Sequence, residues 1–175
     1  MKYIALLRGI NVGASVKVNM RELKNDFELL GFQNVSTYIN SGNIIFECDD
    51  VKDIIEKKIE DKLRNKTGQE IRVLLKTKEE IISIASEIPS EWTNDDLQKT
   101  DVLYLFKEID NEEILNELPI NKEYVNIKYI NSAVFLNVLR INYNKSKMIK
   151  IISHKKYKEM TIRNVNTARY LAFIE

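Results

Sequence analysis

The chain has 175 residues, 44% of them hydrophobic and 30% charged, with a formal net charge of +1. That apolar content suffices for a core and argues against disorder, since few apolar residues combined with high net charge are what keep chains unfolded. A single cysteine, Cys48, excludes an internal disulfide, no apolar run approaches the roughly 18 residues of a spanning helix, and Met1-Lys2-Tyr3 leads straight into a strand pattern without a basic-then-apolar leader. The expectation is a cytoplasmic protein with no membrane partner.

Lys2 to Arg8 reads as a buried strand ended by Gly9. Asn19, three residues before Glu22, has the spacing of a capping box, and Met20, Leu23, Phe27 and Leu30 then share one helical face up to Gly31. Val35 to Ile39 and Ile44 to Cys48 are β-branched and aromatic, and the small polar residues Asn40-Ser41-Gly42-Asn43 between them predict a hairpin. Asp50 is placed to cap a helix carrying Val51, Ile55, Ile59 and Leu63, with Gly68 as its left-handed stop, and Ile71 to Leu75 supplies a fourth strand. Strand, helix, strand, strand, helix, strand is the split βαβ order of ferredoxin-like domains.

A further helix, capped by Thr77 with Glu80 and carrying Ile81, Ile82, Ala85 and Ile88, completes a first half over residues 1–89. The polar stretch 90–100 reads as a linker, and 101–175 as a second half. Its expected elements are a strand at Val102 to Phe106, a helix capped by Asp110 with Glu113, and hairpin strands at Tyr124 to Ile130 and Ala133 to Leu139. A basic helix over Lys145 to Lys158, a short strand at Met160 to Ile162 and a final helix capped by Asn164 follow. Tyr129-Ile130-Asn131-Ser132 repeats Tyr38-Ile39-Asn40-Ser41 at the same place in the proposed unit. The fold class expected is therefore α+β, two ferredoxin-like (βαββαβ-type) subdomains related by internal duplication, with additional helices.

Charge is unevenly distributed. Residues 43–139 hold 13 Lys/Arg against 21 Asp/Glu, and residues 140–175 hold 9 against 2. A basic tail of this kind docks on the protein's own acidic surface or attracts a nucleic acid, and the Gly/aromatic pattern of an RNA-recognition motif is missing from both halves. His154, the only histidine, has no sequence partners for a metal site or an acid–base pair; Cys48 shares strand parity with Ile44 and Phe46 and points to the core. Acidic pairs such as Asp49-Asp50 and Glu112-Glu113 fall at helix starts, where the macrodipole favours them. No metal, cofactor or catalytic residue is expected.

The first and second strands of such a unit run parallel, which brings the loop leaving the first strand and the following hairpin to one rim. Arg8, Asn11, Lys17 and Asn19 from that loop, with Asn40, Ser41 and Asn43 from the hairpin, would cradle an anion beside the helix N-terminus. Gly9 and Gly13 match neither the phosphate-loop nor the dinucleotide pattern, and the competing reading is that Asn11 and Asn40 bond the two loops to each other. Arg163 and Asn166 would join if the last helix folds back.

Tyr3-Ile4-Ala5-Leu6-Leu7-Arg8-Gly9-Ile10-Asn11-Val12-Gly13, Thr37-Tyr38-Ile39-Asn40-Ser41-Gly42-Asn43-Ile44-Ile45-Phe46 and Thr161-Ile162-Arg163-Asn164-Val165-Asn166-Thr167, with Met20-Arg21-Glu22-Leu23 between the first two, resemble the bacterial family known as domain of unknown function 1697. The resemblance implies a two-part ferredoxin-like α+β fold and no particular activity. Ala14 stands where the family commonly has a second glycine, and Val165 where it commonly has tryptophan, which weakens close backbone approach to a phosphate and an aromatic stacking surface respectively. The functional expectation is binding of a small anionic, phosphate-containing ligand at the first-strand loop edge, with a non-enzymatic protein or nucleic-acid interaction module as the alternative.

Overall fold

A computed structural model describes residues 1–174. Contacts divide the chain after Lys78 into two compact units, the second starting at Glu79.

In the first unit β1 (Lys2–Leu7), β2 (Gln33–Tyr38), β3 (Asn43–Glu47) and β4 (Val73–Thr77) form an antiparallel sheet in the order β2-β3-β1-β4, the ferredoxin-like order. Alternation along the strands turns Tyr3, Ala5, Leu7, Ile44, Phe46, Val73 and Leu75 to one face, where they pack with residues of α1 (Met20–Leu29) and α2 (Lys52–Thr67). From the helices come Leu23, Phe27, Ile55, Ile59 and Leu63. Cys48 packs at the margin of this core.

The expected caps hold at two places and fail at one. Asn19 Oδ1 accepts the amides of Arg21 and Glu22, and Gly68 closes α2 in a left-handed conformation. At the start of α2 the cap position belongs to Val51, which offers no side-chain bond, because the Asp50 carboxylate accepts instead from Lys58 at 2.6 Å. α1 and α2 are also joined by charge: Asp26 takes Lys66 at 2.7 Å and Lys62 at 3.3 Å. β4 is an edge strand, and the Glu60 and Glu56 carboxylates of α2 accept the backbone amides of Val73 and Leu75, so these donors are unavailable to another chain. Burial raises the pKa of Glu56, working against that bond.

All of α3 (Lys78–Ser86) but its first residue lies in the second unit, where the Ser83 hydroxyl accepts from Asn131 and Glu87, just past the helix, pairs with Lys128. The helix expected at the end of the first half thus packs in the second. β5 (Gln98–Leu105), β6 (Asn126–Ile130), β7 (Ala133–Leu139) and β8 (Met160–Asn164) repeat the first topology as β6-β7-β5-β8. The stretch 90–100 is fixed rather than linker-like: Asp95 accepts from Thr93, Leu97 and Gln98, Thr93 O accepts from Thr100, and Asp95 O accepts from Arg140. Asn164 Oδ1 caps α6 (Val165–Phe173) by accepting the Thr167 amide.

Three expectations are corrected here. Asp110 caps no helix: its carboxylate accepts the hydroxyls of Tyr129 and Ser132, while Asn111 accepts the Glu113 amide ahead of the short α4 (Ile114–Glu117). The continuous basic helix over 145–158 is absent. α5 (Tyr143–Ser146) ends where Lys147 turns left-handed and Ser146 Oγ accepts the Met148 amide, and 3₁₀ turns at Met148–Ser153 and Tyr157–Glu159 follow. The repeated tetrapeptide, finally, keeps its hairpin pairing but not its face. Tyr38 pairs with Asn43 and Tyr129 with Val134, each with the residue five positions on, and in the second hairpin the pairing continues to Ile130 and Ala133. Tyr129 lies on the helix-covered face with Val134, as Thr37 does with Ile44; Tyr38 lies on the opposite one.

Candidate functional site

The loop leaving β1 and the β2–β3 hairpin do meet at one rim. Leu7 N–H donates to Gly42 O at 2.8 Å, and a Cβ at Gly42 would sit 2.8 Å from side-chain atoms of both Leu7 and Ile10. Glycine is required there by close approach and by its φ of +76°.

Asn11, itself left-handed at φ 55°, ties the rim together. Its Nδ2 donates to Val18 O at 2.8 Å and to Asn40 O at 2.9 Å, and its Oδ1 accepts the Val18 amide at 2.8 Å. Of the predicted ligands, Asn11 is thus spent on the loop, Asn19 on the helix, and buried Asn43 on Tyr38 O and Ser41 Oγ at 3.0 Å each. Lys17 reaches back to Gly13 O at 3.0 Å.

These bonds frame a hollow of about 540 Å³ lined by Asn11, Lys17, Val18, Asn19, Met20, Arg21 and Asn40. Arg8, Ser41 and Asn43 lie outside that lining, and Arg21, which sequence reasoning passed over, lies within it. Its signal was positional: the second residue after an N-cap projects from the positive end of the helix. A smaller hollow of about 200 Å³ shares Lys17, Val18 and Asn19 and adds Lys66. Burial disfavours the Lys66 charge, yet bonds to Asp26 and Glu22 outweigh it and raise the pKa.

Arg163 and Asn166 belong to the second unit. Arg163 is buried and donates to Thr161 Oγ1 at 2.9 Å and Ile162 O at 2.8 Å; burial lowers its pKa to about 10, against the opposing pull of the Tyr104 and Tyr157 phenols. Tyr104 OH, buried nearby, has no hydrogen-bond partner among the described residues, and burial pushes its pKa up. Asn166 donates to Asn94 O at 3.2 Å. Among the described residues no three His, Cys, Asp or Glu side chains gather as metal ligands, and no helix is long and apolar enough to cross a membrane.

Two successive α+β units of one strand order, with a polar rim on the first, define the class of protein. Residues 1–135 match the family described as protein of unknown function (DUF1697), and the chain belongs to that family. It is similar to a solved structure described as conserved bacterial protein SP0830 from Streptococcus pneumoniae, with 26% sequence identity, a TM-score of 0.84, and coverage of 98% of this chain and 96% of that one. No curated protein matches the chain.

Proposed function

We propose that this cytoplasmic protein binds a small, phosphate-containing anion in the hollow at the start of α1. The observation that carries the reading is the placement of two cations, Lys17 and Arg21, around one hollow at the N-terminal end of a ten-residue helix, where the macrodipole adds to their field. Asn40 supplies a neutral polar wall, while Val18 and Met20 give the ligand an apolar surface to lie against. Arg8, one loop residue from β1, contributes at longer range.

A thermal-shift screen with inorganic phosphate, nucleotides and sugar phosphates tests this. The expected result is a stabilising phosphate compound whose effect grows with the logarithm of its concentration and is lost in a Lys17→Ala, Arg21→Ala double variant. A flat screen, or a stabiliser indifferent to both substitutions, overturns the reading.

A further inference from the structure

Residues 124–158 contain eight Lys/Arg and no Asp or Glu. Within them the 3₁₀ turn Met148–Ser153 places residues three apart above one another. Met148 and Ile151 point inward and are buried in the second unit's core, which anchors the segment. Ile149 and Ile152 form the outward ridge and are 54% and 55% exposed. Lys147 and Lys150 flank that ridge, both exposed, and neither makes an ion pair among the described residues. Lys156, by contrast, is held by Glu117 at 2.6 Å.

We infer that this ridge is a reversible docking surface for an anionic phospholipid bilayer. Charge complementarity makes the partner anionic, and the isoleucine pair makes it apolar beneath its charge. A nucleic acid would satisfy the lysines and leave both isoleucines in water, whereas at a bilayer interface the isoleucines enter the acyl boundary while the lysine amines stay at the headgroups. That no helix among the described residues is long and apolar enough to cross a membrane leaves lying on one untouched. Two isoleucines and two free lysines make a weak anchor, so binding should be salt-sensitive and reversible.

The test is co-sedimentation of the full chain with vesicles of phosphatidylglycerol and phosphatidylcholine, against phosphatidylcholine alone. The expected outcome is binding to the anionic vesicles only, reduced roughly fivefold for each of Lys147→Gln and Lys150→Gln. Ile149→Ser with Ile152→Ser should reduce it about tenfold, with unchanged circular dichroism showing that these surface changes leave the fold intact. No binding to anionic vesicles overturns the inference. So does binding that survives loss of both isoleucines, or duplex DNA or RNA retained with the same lysine dependence and tighter than the vesicles.

Discussion

Asn11 Nδ2 donates to the carbonyl of Asn40 at 2.9 Å, so a single carboxamide closes the first-strand loop onto a hairpin 29 residues away. Because the same side chain also satisfies both backbone groups of Val18, three of the bonds that shape the rim depend on one residue. Asn11→Ala should cost about 2–3 kcal/mol, combining lost bonds with alanine's dislike of a left-handed backbone. Asn11→Gly should recover about 1 kcal/mol of that, by removing the backbone part alone. Urea unfolding of both variants measures the split; equal losses would show that backbone strain contributes nothing.

Gly42→Ala should be among the costliest single-methyl additions in the chain. The new Cβ meets Leu7 Cβ, which is fixed to the backbone, at 2.8 Å, and Ile10 Cδ1 and Cγ1 at 2.8 and 3.0 Å, in a side chain only 2% exposed that has no open space to swing into. A loss of about 2–4 kcal/mol is expected, and a melting temperature within a degree of the parent would contradict the packing described.

Asp26 joins α1 to α2 by accepting from two lysines, with its own side chain mostly buried. Asp26→Ala leaves Lys62 without this carboxylate and Lys66 with Glu22 alone, and should destabilise by about 1–2 kcal/mol. Lys66→Met keeps the apolar stem and should cost less, a ranking that denaturant titration reads directly.

Glu117 accepts from Lys156 at 2.6 Å, a bond that lowers its pKa below the usual 4.5 against an opposing desolvation, with the Lys156 charge adding to the lowering. A lowered folded pKa gives stability that is present above about pH 4.5 and lost as the pH falls through the lower folded value. The stability gap between the parent and Glu117→Gln should therefore close toward acid. A gap that widens below pH 4 would reverse the assignment.

Burial first, then the bond to Asp110, pushes the Tyr129 phenol up to about 12 from 10. The bonded phenol stabilises the fold fully below pH 10, and that contribution disappears as the pH rises through about 12. Alkaline absorbance titration should show two late tyrosines, and Tyr129→Phe should remove the one near 12 while buried Tyr104 still titrates later.

The strands and long helices were legible for different reasons: an unbroken apolar run ended by Gly9 marked β1, β-branched and aromatic content marked β3, and the four-residue spacing of Val51, Ile55, Ile59 and Leu63 marked α2. The stretch after Asn142 misled because Met148 and Ile151 fit a 3₁₀ turn as well as an α-helix, and the deciding feature, a left-handed Lys147, has no sequence mark. Asp50 and Asp110 looked like caps, but each carboxylate is taken by side chains instead, Asp50 by Lys58 two turns along α2 and Asp110 by Tyr129 and Ser132 of the hairpin. The rim itself was foreseeable from topology. Which of its side chains face the hollow was not, because Asn11, Asn19 and Asn43 serve backbone groups that only the folded turn brings to them.

In the second unit the loop after β5 is closed onto its hairpin by a carboxylate, Asp110, where the first unit uses a carboxamide. That position already holds a built-in negative charge, with Glu108, Glu112 and Glu113 close by in the chain. On the proposed reading of the first rim as an anion site, this carboxylate repels a second phosphate, so the chain should saturate at one anion rather than two.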